Sequence, residues 1–159
     1  MNFTPIATVP PRAGTGGVRW VDSTVAAGTT YTYRVAATSA AGPSPYSNNA
    51  TVIVPPAPAV PTSLLALNGP NGPGNTRTVN LRWTASSTDV TQFKIQRATN
   101  PGFAGPSLVT TNVSALARTL TQTGLAPNTA YYFRIRAENG PYVWSAWLNA
   151  TPFPITTNP

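Results

Sequence analysis

Residues 125–151 of the 159-residue chain read LAPNTAYYFRIRAENGPYVWSAWLNAT, and residues 25–51 read VAAGTTYTYRVAATSAAGPSPYSNNAT. The two stretches align without a gap, and the identical pairs include Thr29/Thr129, Tyr31/Tyr131, Arg34/Arg134 and Ala37/Ala137. Phe3/Phe103 and Val9/Val109 keep the same offset. Residues 61–102, which precede the second copy, have no counterpart in the first. Because a repeat is one packing unit, the first copy lacks part of the surface needed to bury its apolar face.

Both copies show the alternation that is typical of half-buried strands. Segments rich in Thr, Val, Tyr and Phe are separated by Gly, Pro and Asn turns, which predicts an all-β protein with short strands. In the second copy the side chains predicted to face the core are Tyr131, Phe133, Ile135 and Ala137, and those predicted to face outward are Tyr132, Arg134 and Arg136. In the first copy the predicted inward set is Tyr31, Tyr33, Val35 and Ala37, and the outward set is Thr32 and Arg34. Further inward sets are Val79, Leu81 and Trp83, followed by Phe93 and Ile95.

Composition excludes several function classes. The chain has no cysteine and no histidine, so it lacks thiol nucleophiles, histidine-based triads and imidazole or thiolate metal sites. We therefore expect no cofactor and no metal. The net charge of +7 comes from nine Arg and one Lys against Asp22, Asp89 and Glu138. Because the Arg residues are scattered singly, we expect weak attraction to acidic glycans or cell-wall polymers and no specific binding of nucleic acid.

The sequence also bears on location. Residues 1–17 do not have the basic-then-apolar pattern of a signal peptide, and no apolar run approaches the length of a membrane span, so we expect no membrane insertion. Acceptor motifs for N-glycosylation occur at four positions, namely Asn2, Asn49, Asn112 and Asn149.

Four motifs of the second copy occur in a characteristic order. They are Pro61-Thr62-Ser63-Leu64, Leu81-Arg82-Trp83, Phe93-Lys94-Ile95 and Leu125-Ala126-Pro127-Asn128-Thr129-Ala130-Tyr131. They resemble strand A, strand B with its core Trp, strand C and the tyrosine corner before strand F of a fibronectin type III domain. The resemblance implies an immunoglobulin-like β-sandwich in which the buried Tyr131 ring fills the core while its hydroxyl bonds nearby backbone.

The first copy resembles only the later part of the same family. Its candidate segments are Trp20-Val21-Asp22 for strand E, residues 25–31 for the corner, residues 33–37 for strand F and residues 42–48 for the approach to strand G. Strands A, B and C, with the counterpart of Trp83, are missing. The fold class predicted is therefore a tandem of fibronectin type III β-sandwiches, of which the first is incomplete.

The predicted domain boundaries follow from the same comparison. Residues 1–54 form the partial domain (strands C′ or E to G), residues 61–152 form the complete domain, and residues 153–159 form a C-terminal tail. Residues 55–60 lie in the run VPPAPAVP, which predicts an extended polyproline linker that holds the domains apart. The spacing of Phe153 and Ile155 in the tail also fits a short added strand.

The segment Trp144-Ser145-Ala146-Trp147 resembles the Trp-Ser-x-Trp-Ser box of class I cytokine receptors, with Leu148 at the fifth position. The resemblance implies that Trp rings interleave with Arg134 and Arg136. Two interpretations remain open. The set Tyr132, Arg134, Arg136, Trp144 and Trp147 is either a ladder that stiffens one sheet or a face that binds a ligand.

Asp89 and Glu138 are the only carboxylates of the second copy. In this fold the loops after strands B and F open at the same end, so a carboxylate pair for glycoside hydrolysis has to be considered. We expect instead that Glu138 pairs with a neighbouring Arg and that Asp89 caps the turn at residues 87–89. The chain is therefore predicted not to be an enzyme.

These features predict a non-catalytic extracellular or cell-surface protein with a structural or adhesive role. The missing strands suggest a filament subunit whose first domain is completed by a neighbouring chain, and the residues expected at that contact are Tyr33, Val35, Ala37, Phe153 and Ile155. Two alternatives remain. The chain is either a fragment of a secreted polysaccharide-degrading enzyme, in which such modules act as spacers, or a module that binds carbohydrate or protein.

Overall fold

The computed structural model describes residues 2–11, 13–14, 16–85, 87–140 and 143–159, and all of its regular secondary structure is β-strand. The first copy contains β1 (Thr30–Tyr33), β2 (Thr38–Ser39), β3 (Gly42–Pro43) and β4 (Ala50–Ile53). The second contains β5 (Ser63–Asn68), β6 (Arg77–Thr84), β7 (Gln92–Ala98), β8 (Val109–Ser114), β9 (Thr119–Leu125), β10 (Ala130–Glu138), β11 (Leu148–Asn149) and β12 (Ile155–Thr156). The described residues contain no helix that could span a membrane.

Two antiparallel sheets form a β-sandwich in the second copy. One has the strand order β5-β6-β9, and the other has the order β11-β10-β7-β8 with β12 also paired to β10. These are the positions of strands A, B and E on one side and G, F, C and C′ on the other. The predicted fold class is confirmed for this part of the chain.

The core lies between the two sheets and is built from the alternating residues expected from the sequence. Phe93, Phe133 and Ile135 are at most 1% exposed, and the Trp83 ring packs edge-on against Phe93 at a centroid distance of 5.7 Å. Each such side chain contributes roughly 1.5–3 kcal/mol when it is removed from water. The alternation places Tyr132, Arg134 and Arg136 on the outer face of β10, where they are half-buried.

The tyrosine corner is present in both copies. The Tyr131 hydroxyl accepts a hydrogen bond from the Ala126 backbone N–H at 3.1 Å. In the first copy the Tyr31 hydroxyl accepts from the Ala26 N–H at 2.9 Å. The bond satisfies a backbone donor that would otherwise lack a partner at the turn, so this part of the resemblance is confirmed.

Pairing in the first copy is limited to the strands at its end. β1 pairs with β4, and the short strands β2 and β3 pair with each other. The expected strand E at Trp20-Val21-Asp22 does not form, and β1 ends at Tyr33 rather than continuing to residue 37. The reason is visible in the second copy, where strand E (β9) is hydrogen-bonded to strand B (β6), for which the first copy has no counterpart.

The boundary predicted at residue 152 is wrong because the C-terminal residues belong to the sandwich. β12 pairs with β10 through Tyr131 and Ile155, and the Ile155 side chain is 5% exposed within the core cluster. The Thr157 hydroxyl donates to the Ala126 carbonyl at 2.7 Å, and the Arg77 Nε donates to the Pro159 carbonyl at 3.1 Å. Strand G is thus interrupted at Pro152-Phe153-Pro154 and then resumes.

The proline-rich linker has no regular secondary structure, but it is packed at both ends. Val54 and Pro61 are buried, and the Gly28 N–H donates to the Val54 carbonyl at 3.0 Å. Val54 and Pro55 line one apolar cavity together with Gly140 and Val143 from the turn before β11. Residues of both copies therefore line the same cavity at this joint.

We expect Tyr131→Phe to lower the free energy of unfolding by about 1 kcal/mol, because it leaves the Ala126 N–H without its acceptor while preserving the ring. Urea denaturation followed by tryptophan fluorescence measures the change. Tyr132→Phe, which removes a hydroxyl outside the corner, is the matched control. An equal loss in both variants would contradict a specific role for the corner.

Candidate functional site

Arginine and aromatic side chains alternate on the outer face of the β10 sheet. The Arg136 guanidinium lies 4.6 Å from the Trp144 ring centroid and 4.8 Å from that of Trp147. The Arg134 guanidinium lies 4.4 Å from Trp147 and 4.0 Å from Phe103. We call this series Trp144–Arg136–Trp147–Arg134–Phe103 the ladder.

Two further rings extend the ladder. Phe153 stacks on Phe103 at a centroid distance of 6.2 Å and meets Tyr132 edge-on at 4.9 Å. The structure therefore brings together Tyr132, Arg134, Arg136, Trp144 and Trp147 on one face. The sequence did not indicate Phe103 as a ladder residue, and Phe153 was expected at a contact with a neighbouring chain. The only signal for Phe103 was that Phe3 and Phe103 keep the offset of the repeat.

The guanidinium plane of Arg134 is held by hydrogen bonds to the neighbouring strand β7. Arg134 Nε and one terminal nitrogen both donate to the Gln96 side-chain oxygen, at 2.8 and 2.6 Å. Gln96 is the residue of β7 directly opposite Arg134. Each cation–π contact of a fixed guanidinium contributes about 0.5–1 kcal/mol at an exposed site and more where water is excluded. The ladder therefore joins β10 to β7 through side chains as well as through the backbone.

Ser145 sets the position of the two Trp rings. Its hydroxyl accepts from the Ala137 N–H at 3.0 Å and donates to the Ala146 carbonyl at 2.8 Å. These bonds turn the backbone between Trp144 and Trp147. Because the Trp147 ring is contacted by both guanidinium groups, the accessible aromatic surface lies mainly at Trp144, which is 44% exposed.

The first copy contains one unit of the same ladder. The Arg34 guanidinium lies 4.0 Å from the Phe3 ring and 3.8 Å from the Tyr46 ring. The Ser44 hydroxyl accepts from the Ala37 N–H at 3.0 Å, as Ser145 does from Ala137. Ser44 and Tyr46 thus correspond to Ser145 and Trp147. The ungapped alignment is wrong by one residue in this stretch.

Glu138 lies beside Arg136 of the ladder and forms an ion pair with it. Its carboxylate is 3% exposed and lies 3.0 Å from the Lys94 ammonium and 2.6 Å from the Arg136 guanidinium. The Gln92 amide also donates to it at 2.7 Å. Burial raises the pKa of Glu138, but the hydrogen bonds from Lys94, Gln92 and Arg136 outweigh it and hold the pKa below its ordinary value.

The Asp89 carboxylate accepts a hydrogen bond within its own turn. The Ser87 hydroxyl donates to it, and this bond lowers the pKa of the exposed Asp89 carboxyl. Glycoside hydrolysis needs one carboxyl group whose pKa is raised so that it can donate a proton near neutral pH. The pKa values of Asp89 and Glu138 are both lowered, so neither carboxyl group is suited to be the proton donor of glycoside hydrolysis. Among the residues that the structure describes, no three His, Cys, Asp or Glu side chains are grouped to hold a metal ion.

A second feature is the open face of the first copy. Tyr33, Val35 and Ala37 line one groove together with residues 2–11. Val35 is 71% exposed, and the Tyr33 hydroxyl donates to the Asp22 carboxylate at 3.1 Å. Phe153 and Ile155, which were expected at the same contact, lie in the second copy instead. Phe153 packs in the ladder and Ile155 in the core, so Ile155 is not available to a neighbouring chain.

We expect Glu138→Gln to be less stable than the unchanged protein at neutral pH, by about 1–2 kcal/mol. Because the pKa of Glu138 is lowered on folding, its contribution is present above the pKa of the unfolded chain and is lost as the pH falls through the folded value. The stability difference should therefore shrink on acidification. Urea denaturation between neutral pH and pH of about 3 measures it.

Asp89→Asn is the matched carboxyl-to-amide control, at an exposed position. It should alter the acid limb of the stability curve less than Glu138→Gln does. A gap between Glu138→Gln and the unchanged protein that stays constant with pH would contradict the assignment of Glu138 as the ionised anchor.

Solved structures similar to this chain are β-sandwich domains. The crystal structure of chicken CNTN1 FN1–FN3 domains has a TM-score of 0.56 at 19% identity, covering 87% of this chain and 46% of the other, so this chain spans less than half of that length. A computationally redesigned β-sandwich protein has a TM-score of 0.50 at 21% identity and covers 62% of this chain and 89% of its own. An Fn3-like protein from Clostridium thermocellum is 30% identical, with a TM-score of 0.45, over 64% of this chain and 93% of its own. A comparison with curated proteins gave no match.

The family comparison concerns the second copy. The model of the fibronectin type III domain matches residues 71–151, which is just over half of the chain. The matched part begins before β6 and ends where strand G crosses to β5, and it contains the tyrosine corner and the ladder residues of β10. The chain therefore belongs to the fibronectin type III domain family.

Proposed function

We propose that this chain is a non-catalytic structural or adhesive module of an extracellular protein, and that a neighbouring polypeptide completes its first copy. Membership of the fibronectin type III family supports the structural role. The lowered pKa values of Asp89 and Glu138 speak against acid–base catalysis. The packed linker joint and the ladder favour a stiff spacer over a flexible tether.

The proposal that another polypeptide completes the first copy rests on a comparison of Val35 and Ala37 with their counterparts in the second copy. Val35 is 71% exposed, whereas its counterpart Ile135 is fully buried at 0%. Ala37 is exposed, whereas Ala137 is 1% exposed. The segment that follows β1 thus presents the same apolar pattern as β10, but the second sheet that covers this pattern in the second copy has no counterpart among the described residues of the first.

The energetic deficit of the open face is large compared with the stability of a small domain. A missing apolar contact of several hundred Å2 corresponds to about 10 kcal/mol at roughly 25 cal/mol per Å2. Large exposed apolar patches mark interaction sites, and an unpaired strand edge is a template for strand addition from another chain. If the neighbour is a further copy, repetition of this contact builds the head-to-tail filament expected from the sequence.

We expect Val35→Asp to abolish association through the open face, since it places a charge at the centre of the apolar contact. Ala40→Asp is the matched control, because Ala40 is exposed in the turn between β2 and β3 and does not line the groove. Multi-angle light scattering at micromolar concentration should show that the unchanged protein and Ala40→Asp associate and that Val35→Asp does not.

Electron microscopy of the associated fraction tests the filament. Extended fibres support it, and closed oligomers of fixed size reject it while retaining the open face as the contact. If the unchanged protein is monomeric at all concentrations in the absence of other chains, self-assembly is rejected. Association that is indifferent to Val35→Asp rejects the open face.

A second candidate function rests on the exposed end of the ladder. Trp144 is 44% exposed beside Arg136, so one aromatic ring is available for stacking on a sugar or a protein side chain. Glycan-array binding that is lost in Trp144→Ala and in Trp147→Ala, with unfolding still cooperative, would favour a carbohydrate-binding module. Unchanged binding in both variants would reject it.

A further inference from the structure

One edge of the β10 sheet in the second copy is open. Strand β8 ends the order β11-β10-β7-β8, and along its six residues it pairs with β7 without a break in register. Within the part of the chain that the structure describes, no strand other than β7 contacts β8. A strand at the edge of a sheet presents backbone N–H and C=O groups to which a further strand can bond.

The pairing within the sheet shows which backbone groups of β8 are directed outward. In β10 the carbonyls of Phe133 and Ala137 accept hydrogen bonds from the β11 side, so the backbone groups of the residues between them in alternation face β7. Consecutive residues of an antiparallel sheet alternate in this direction, and the register carries the alternation across β7 to β8. The backbone groups of Thr111 therefore face β7, and those of Thr110 and Asn112 face the open edge.

Strand β8 lacks the features that usually protect a sheet edge. Its sequence VTTNVS (residues 109–114) has four β-branched residues and no charge, proline or glycine. The two edges of the opposite sheet are different. Strand β5 is hydrogen-bonded to Thr151, and β9 contains Gly124, which has a φ of 69° and lies beside a register shift. Because charges, prolines, bulges and covering segments are the usual protection, β8 is the edge at which pairing with another strand is expected.

The strand is complementary to a second copy of itself. In an antiparallel pair with a two-fold axis at Thr111, Thr110 of each copy lies opposite Asn112 of the other, and each N–H donates to the carbonyl opposite it. On the inner face Val109 then lies opposite Val113, and pairs of β-branched residues across strands are favourable. Val109 is 39% exposed in the single chain, so the pairing also removes apolar surface from water.

The distribution of charge favours a second copy as the occupant. The chain has a net charge of +7, so two copies approach readily only where their cations stay apart. The cations next to the edge, Lys94 and Arg97, lie on β7, one strand inside it. Across a two-fold pair they are separated by three strand spacings, about 14 Å, which exceeds the Debye length of about 8 Å at physiological ionic strength. A charged partner, in contrast, finds no opposite charge on β8 itself.

We propose that β8 is a dimerisation edge, at which two copies of the chain join β8 to β8 about Thr111 and form one continuous sheet. This contact goes beyond the proposed function and does not involve the open face of the first copy. A two-strand contact is small compared with a standard interface of about 1,600 Å2, so we expect dimers at chain concentrations of about 0.1–1 mM and monomers at micromolar concentration. In an assembly that already holds chains side by side, the effective concentration reaches this range.

The test uses the full chain with Val35→Asp, which removes association through the open face. Sedimentation velocity should show monomers at about 10 μM and dimers at about 1 mM. Amide exchange measured by NMR at both concentrations reports on single residues. Exchange at Thr110 and Asn112 should slow by about twofold or more at the higher concentration, and exchange at Thr111, which is already bonded to β7, should not change. A chain that stays monomeric, or slowing without this alternation, would overturn the proposal.

A charge pair tests the register of the dimer. Thr111→Lys and Thr111→Glu, each combined with Val35→Asp, place like charges opposite each other at the two-fold axis, and each should weaken dimerisation by about tenfold or more. An equimolar mixture of the two variants should dimerise again. Thr123→Lys, at an exposed position of β9, is the matched control and should leave dimerisation unchanged.

The remaining outcomes are distinct from those that test the open face. Dimers that persist in both Thr111 variants, or a mixture that does not dimerise, reject pairing about Thr111. Unchanged amide exchange in β10 shows that a variant is folded, and the exchange pattern of the chain with Val35→Asp alone decides the matter if the Thr111 variants are not. Because the open face is tested at Val35 and the edge at Thr111, either contact can be rejected while the other stands.

Discussion

The apolar inner face of strand F has to be covered by a second sheet, and the rest of the structure depends on this requirement. In the second copy β6 and β9 cover Phe133 and Ile135, and the sandwich closes around them. In the first copy the described residues form no sheet opposite the homologous strand, and β1 pairs with β4 and ends at Tyr33. The tyrosine corner is present in both copies because its hydrogen bond joins residues only five positions apart, Ala26 with Tyr31 and Ala126 with Tyr131. Local structure thus survives where long-range packing does not.

On the outer face of strand F, charged side chains lie close to one another. The chain has few charged residues, and three of them, Arg134, Arg136 and Glu138, lie on one strand. Two like charges two residues apart repel each other, and burial together with the Arg136 charge lowers the pKa of Arg134. Interleaved rings and the Glu138 carboxylate compensate for this repulsion. The same arrangement ties strand G to strand C through side chains, because Trp147 lies on one side of β10 and Gln96 on the other.

The sequence allowed the sandwich, the inward residues of the second copy and four of the five ladder residues to be predicted, because alternation and short motifs are local signals. Three features could not be predicted in this way. Phe103 and Phe153 join the ladder through contacts between distant loops, which no periodicity records. The spacing of Phe153 and Ile155 indicated a short added strand, which forms as β12, but it did not indicate that Ile155 enters the core after an interruption at two prolines. The shift between Ser44 and Ser145 is hidden because the identical residues on both sides fix the alignment.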